Sequence, residues 1–89
     1  MKRFTLLLVI LFVAMPAYTQ SRLQQADTLY KEALQQYRKR DLTSALTQIE
    51  KALSLLQKAE YHYLNGMIFE SMNKDLRAVS SYEAALKLD

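Results

Sequence analysis

The strongest constraint on this chain is its similarity to itself at one fixed interval. Ala33, Ala45, Leu46, Ile49, Ala52, Leu53 and Leu55 are followed, 33 positions later, by Gly66, Ala78, Val79, Tyr82, Ala85, Leu86 and Leu88. Small residues return as small and large apolar residues return as large. A period of this length places the chain among architectures in which each unit is a helical hairpin.

Within each unit the apolar residues recur every three or four positions, the period of one helix face. The first such run is Leu23, Ala26, Tyr30, Ala33, Leu34 and Tyr37. Arg38-Lys39-Arg40-Asp41 interrupts it, and Asp41 is placed to cap the next helix by accepting from its free N–H groups. That second helix turns Leu42, Ala45, Leu46, Ile49, Ala52, Leu53 and Leu56 inward, up to a break at Gln57-Lys58. The third carries Tyr61, Leu64, Ile68 and Phe69, with Gly66 in its interior. After the turn Met72-Asn73-Lys74-Asp75, the fourth holds Leu76, Ala78, Val79, Tyr82, Ala85, Leu86 and Leu88. The expected fold class is therefore all-α, in tandem helix–turn–helix units over about 23–57 and 58–89. Glycine inside a helix costs roughly 1 kcal/mol against alanine. Gly66 therefore predicts close approach by a neighbouring helix, and Ala33 fills the equivalent place in the first unit.

These residues resemble the tetratricopeptide repeat, from about Leu23 to Asp89. Ala33 falls in the small-residue slot of a leading helix, and Ala45, Ile49 and Ala52 in the A-x3-F and following slots of a trailing helix. Gly66, Phe69, Ala78, Tyr82 and Ala85 fill the corresponding slots of the second unit. Leu29 and His62 stand where the family places a large aromatic residue, and Gln57-Lys58 where it places a terminal proline. Other helical-hairpin families share this small/large periodicity. The resemblance implies an α-solenoid wound as a right-handed superhelix, whose leading helices line a concave, peptide-binding surface. On that basis the peptide-binding stripe is Asp27, Tyr30, Leu34, Tyr37 and Arg38, repeated as Glu60, Tyr63, Met67, Glu70 and Ser71. The stripe lacks the clustered Lys and Asn of repeats that clamp a C-terminal carboxylate.

The N-terminus reads as a targeting segment, a signal helix over 1–19. Met1-Lys2-Arg3 is a basic start, Phe4 to Ala14 is apolar apart from Thr5, and Pro16 closes the run before Ala17, Tyr18 and Thr19. This is the plan of a secretory signal peptide. A membrane-spanning helix needs about 20 apolar residues, more than this run supplies. Cleavage is expected between Thr19 and Gln20, with a cut after Ala17 as the alternative. Export to the periplasm, or otherwise out of the cytoplasm, follows. An uncleaved segment would instead be an inner-membrane anchor. Once Lys2 and Arg3 leave, the formal charge of +3 falls to +1. An interspersed, near-neutral surface argues against a nucleic-acid partner, and the cleaved chain has no membrane-binding segment.

Little in the sequence offers chemistry. There is no cysteine, and His62 is the lone imidazole, so a metal site has too few nitrogen or sulfur ligands. His62 is expected to pack beside Tyr61 and Tyr63. The nine carboxylates are scattered, no Gly-rich loop could cradle a phosphate, and Ser54 and Ser80 lack a nucleophile context. Arg38-Lys39-Arg40 reads as a solvated turn that complements the negative end of the first helix. No cofactor, metal or catalytic residue is expected, and the chain reads as a non-enzymatic scaffold for a protein or peptide partner. The alternative is the sensor or assembly-factor front end of a membrane-tethered envelope protein with an effector domain beyond residue 89. About three repeats are usually needed for stability, and this chain has two. The expectation is a longer chain, or self-association through an open end near Val79, Tyr82 and Leu86.

Overall fold

The computed structural model describes residues 21–89; the expected signal segment and its cleavage sites lie outside the described residues. The described residues form four helices and no strand. Helix α1 covers 21–38, α2 Leu42–Leu55, α3 Ala59–Ser71 and α4 Asp75–Leu88. The chain is all-α over this range, with each break where the apolar period lapses.

Two of the three turns are built alike. Helix α1 ends with Arg40 N donating to Tyr37 O (3.0 Å) and Asp41 N to Gln36 O (2.9 Å). Helix α3 ends with Asn73 N donating to Glu70 O (3.0 Å) and Lys74 N to Phe69 O (2.9 Å). These paired bonds satisfy carbonyls that a helix end otherwise leaves free. They place Arg40 (φ 67°) and Asn73 (φ 60°), equivalent positions of the two units, in the left-handed region. Asp41 then caps α2, its carboxylate accepting from Ser44 N at 3.4 Å.

The core follows the small residues. Ala26, Ala33, Ala45, Ala52, Ala78 and Ala85 are buried, and their size lets the helices approach so that Ile49, Tyr61, Leu64 and Ile68 are sealed from water. Each of these large side chains contributes roughly 1.5–3 kcal/mol by leaving water. The same polar bridge recurs in each helix–turn–helix unit. Gln48 Nε2 donates to Glu32 Oε2 (3.2 Å) between α2 and α1, and Asn65 Nδ2 donates to Ser81 Oγ (3.3 Å) between α3 and α4. The two bridges also stand at equivalent positions, Glu32 matching Asn65 and Gln48 matching Ser81.

The space above Gly66 is taken by a ring. A Cβ at Gly66 would lie 2.5 Å from Cε1 and 2.7 Å from Cδ1 of Tyr82. The expected close approach therefore exists, made by the Tyr82 side chain of α4.

On α4 the apolar positions divide: Val79 and Leu86, expected at an open end, are 52% and 73% exposed, and Leu76 (89%) and Leu88 face water as well. The inner face of α4 is Ala78, Ser81 and Ala85. Leu46 and Leu53, the counterparts of Val79 and Leu86, pack against the core cluster. Helix α3 packs on α2, whereas among the described residues no helix follows α4 to cover it in the same way. Leu23, near the start of α1, is 36% exposed.

Candidate functional site

The ten residues of the expected stripe divide by helix, five on α1 and five on α3, where Ser71 is half-buried at the end of the helix. On α1, Asp27 and Tyr30 are engaged with α3. The Tyr61 hydroxyl donates to Asp27 Oδ1, and Lys58 Nζ lies 3.3 Å from the same oxygen. The Tyr61 ring stacks on Tyr30 with centroids 5.2 Å apart and 27° between planes, and Lys58 Nζ sits 5.5 Å from the Tyr61 centroid. Leu34 and Tyr37 are half-buried against the core, and Arg38 is exposed at the end of α1, beside the basic turn.

On α3, Glu60, Tyr63 and Glu70 face water, while Met67 packs against the core. Tyr63 is 55% exposed and leans on Tyr82, with centroids 5.6 Å apart and planes at 47°. Tyr82 donates to Glu70 Oε1 at 2.7 Å. This arrangement lines a groove of about 870 Å³ between α3 and α4, walled by Glu60, Tyr63, Glu70, Tyr82, Ala85 and Leu86. Its floor and sides are aromatic and aliphatic, and its rim carries carboxylates, with Asp89 adding another. Such a mixture of an apolar body with a few polar groups suits recognition of a side chain that is itself part apolar and part cationic.

Electrostatics follow the contacts. The Tyr61 hydroxyl, followed by Lys58, holds the Asp27 carboxyl below its usual range against the opposing effect of burial. Burial first, and the Asp27 bond second, push the Tyr61 hydroxyl up. Burial and the bond to Glu70 do the same to Tyr82, and burial alone is the main cause for Tyr30. Burial lowers the pKa of His62, whose Nε2 lies 2.6 Å from Gln57 Oε1. That bond closes the α2–α3 connection. No three His, Asp or Glu side chains converge among the described residues in a way that could hold a metal ion. None of the described helices is long and apolar enough to cross a membrane.

Lys58 and Tyr61 were legible only as a break and an apolar position. Their partner Asp27 lies 31 and 34 residues away, respectively, so no local pattern announces the contact. The α4 wall of the groove, Tyr82, Ala85 and Leu86, stands 33 positions after the inward Ile49, Ala52 and Leu53 of α2, and Tyr82 and Leu86 belong to the open end expected from the sequence.

Comparison with known proteins gave no matching family model, no matching curated protein and no matching solved structure.

Proposed function

We propose that this chain is an exported, non-enzymatic scaffold of tandem helix–turn–helix units, similar to the tetratricopeptide repeat, that holds a protein or peptide partner. The observation that carries this reading is the groove between α3 and α4, where Tyr63 and Leu86 stay exposed beside carboxylates. Exposed aromatic and aliphatic side chains rimmed by charge are the composition of recognition surfaces. The return of the turn geometry, the polar bridges and the small-residue positions from one unit to the next supports the solenoid reading. The basic start and short apolar run of residues 1–19 support export.

Two measurements test this reading. N-terminal sequencing of the exported protein is expected to begin at Gln20 or Tyr18; an intact Met1 in the membrane fraction would make the segment an anchor. Affinity capture from the envelope fraction is expected to return a partner with the parent chain and to lose it with a Tyr63→Ser/Leu86→Ser variant. Recovery of the same proteins by both forms, or of none, would overturn the scaffold reading.

A further inference from the structure

The groove between α3 and α4 has a counterpart in the preceding unit that is already occupied. Asp27 corresponds to Glu60, Tyr30 to Tyr63, Ala52 to Ala85 and Leu53 to Leu86. In the earlier groove the occupant is α3 itself. Tyr61 is fully buried there, its ring on Tyr30 and its hydroxyl on Asp27, with the Lys58 ammonium on the same carboxylate. Leu64 and Ile68 continue the same buried face. In the later groove the carboxylate and the ring are both present, and Tyr63 and Leu86 are 55% and 73% exposed. Glu60 is held only loosely, by Lys58 at 3.9 Å in an exposed pair. Such pairs contribute little and exchange readily for a closer cation.

We propose that the groove between α3 and α4 is a receptor for a partner helix that begins with a cationic residue, presents a tyrosine three positions on, and continues with aliphatic residues three and seven positions beyond that. The tyrosine ring lies on Tyr63, and its hydroxyl and the cation meet Glu60. Glu60, Glu70 and Asp89 make the rim acidic, which favours that cation. A second copy of this chain does not supply the occupant by head-to-tail stacking. The positions of α1 that correspond to Lys58, Tyr61, Leu64 and Ile68 are Gln25, Thr28, Lys31 and Gln35, all polar and exposed. Head-to-tail stacking of a second copy therefore does not fit the groove, and the proposed occupant is a partner helix of the stated pattern.

This inference rests on the scaffold reading and narrows it to one partner class. The chain's own α3 provides a probe, because it is the helix that the equivalent groove accepts. The test titrates the purified exported chain into a labelled peptide of residues 56–72, held helical by a staple on the face away from Tyr61. Saturable binding is expected. It should weaken about tenfold with a Tyr61→Phe peptide, the loss typical of a hydrogen bond to a charged group, and at least as much with a Glu60→Gln chain, which also removes the partner of the cation. The two changes together should cost no more than Glu60→Gln alone, since the tyrosine bond is already lost there. Glu60 is exposed, so the variant chain keeps its fold, which circular dichroism verifies.

No binding, or binding indifferent to both changes, would overturn the proposal. So would sensitivity to Asp27→Asn in place of Glu60→Gln, which would mean exchange into the first groove. A concentration-dependent dimer that competes with the peptide would overturn it too, by showing the groove to be filled by a second copy. Failure of the peptide alongside Tyr63- and Leu86-dependent capture of an envelope partner would reject the helix and leave the scaffold reading standing.

Discussion

The ring of Tyr82 occupies the space that a side chain at Gly66 would need. At the equivalent positions of the first unit stand Ala33 and Ile49, both fully buried. A smaller residue on one helix is matched by a flat ring on the other, and a methyl group by a branched aliphatic.

Gly66→Ala is therefore expected to destabilise the chain by about 1–2 kcal/mol, overpacking outweighing the better helix propensity of alanine. Tyr82 cannot simply swing aside, because it is bonded to Glu70 and leans on Tyr63. Adding Tyr82→Ile should recover most of the loss by recreating the pair of the first unit. Urea unfolding of the single and double variants measures this. An additive double variant would mean that the two positions do not pack on each other.

Arg40 and Asn73 carry the positive φ values of the two equivalent turns. A left-handed backbone costs roughly 1 kcal/mol for most L-residues and less for asparagine, and glycine adopts it freely. Arg40→Gly is expected to raise stability by about 0.5–1 kcal/mol, and Asn73→Gly by less. Melting temperatures of the two variants give the order; equal shifts or losses would contradict it.

Removing the cap at Asp41 should act in the opposite direction. Asp41→Ala leaves Ser44 N–H without its carboxylate and is expected to cost about 1 kcal/mol, the usual value for an N-cap. Asp41→Ser should retain most of the stability in the same urea titration. Equal losses in both variants would deny the side chain a capping role.

The Tyr61–Asp27 contact predicts how stability depends on pH. The folded Asp27 carboxyl titrates lower than in the unfolded chain, so its contribution is present above about pH 4 and fades as pH falls through the folded value. The folded Tyr61 hydroxyl titrates higher, so its contribution is complete below about pH 10 and fades as pH rises beyond that. Tyr61→Phe should flatten part of the alkaline limb of a stability–pH profile, leaving the shares due to Tyr82 and Tyr30. Asp27→Asn should flatten part of the acidic limb. A Tyr61→Phe profile parallel to the parent above about pH 10 would contradict this assignment.

What the sequence makes legible here is local. The breaks at Asp41, at Gln57-Lys58 and at Met72-Asn73 can be read because capping chemistry and a lapse in apolar period act within a few residues. The alanine positions and the demand for space at Gly66 are legible for the same reason. The exposure of Leu76 is not, because periodicity says that a helix has an apolar stripe and not which neighbours cover it. The engagement of Asp27 and Tyr30 with α3 is hidden as well. It depends on a tyrosine 34 residues away whose hydroxyl direction only the packed fold sets. The groove is half legible: Tyr82, Ala85 and Leu86 are positions of the 33-residue repeat, and Glu60, Tyr63 and Glu70 follow from the family resemblance, whereas the closure of Tyr82 over Gly66 depends on the packed fold.

The central claim is that a partner is held at the groove between α3 and α4. Photo-crosslinking in living cells tests it most directly, with p-benzoylphenylalanine placed at Tyr63 in the groove and, separately, at exposed Glu83. The account predicts one discrete, heavier species from position 63 that disappears when Leu86→Ser is added, and none from position 83. Absence of an adduct at 63, or the same pattern from both positions, would contradict it.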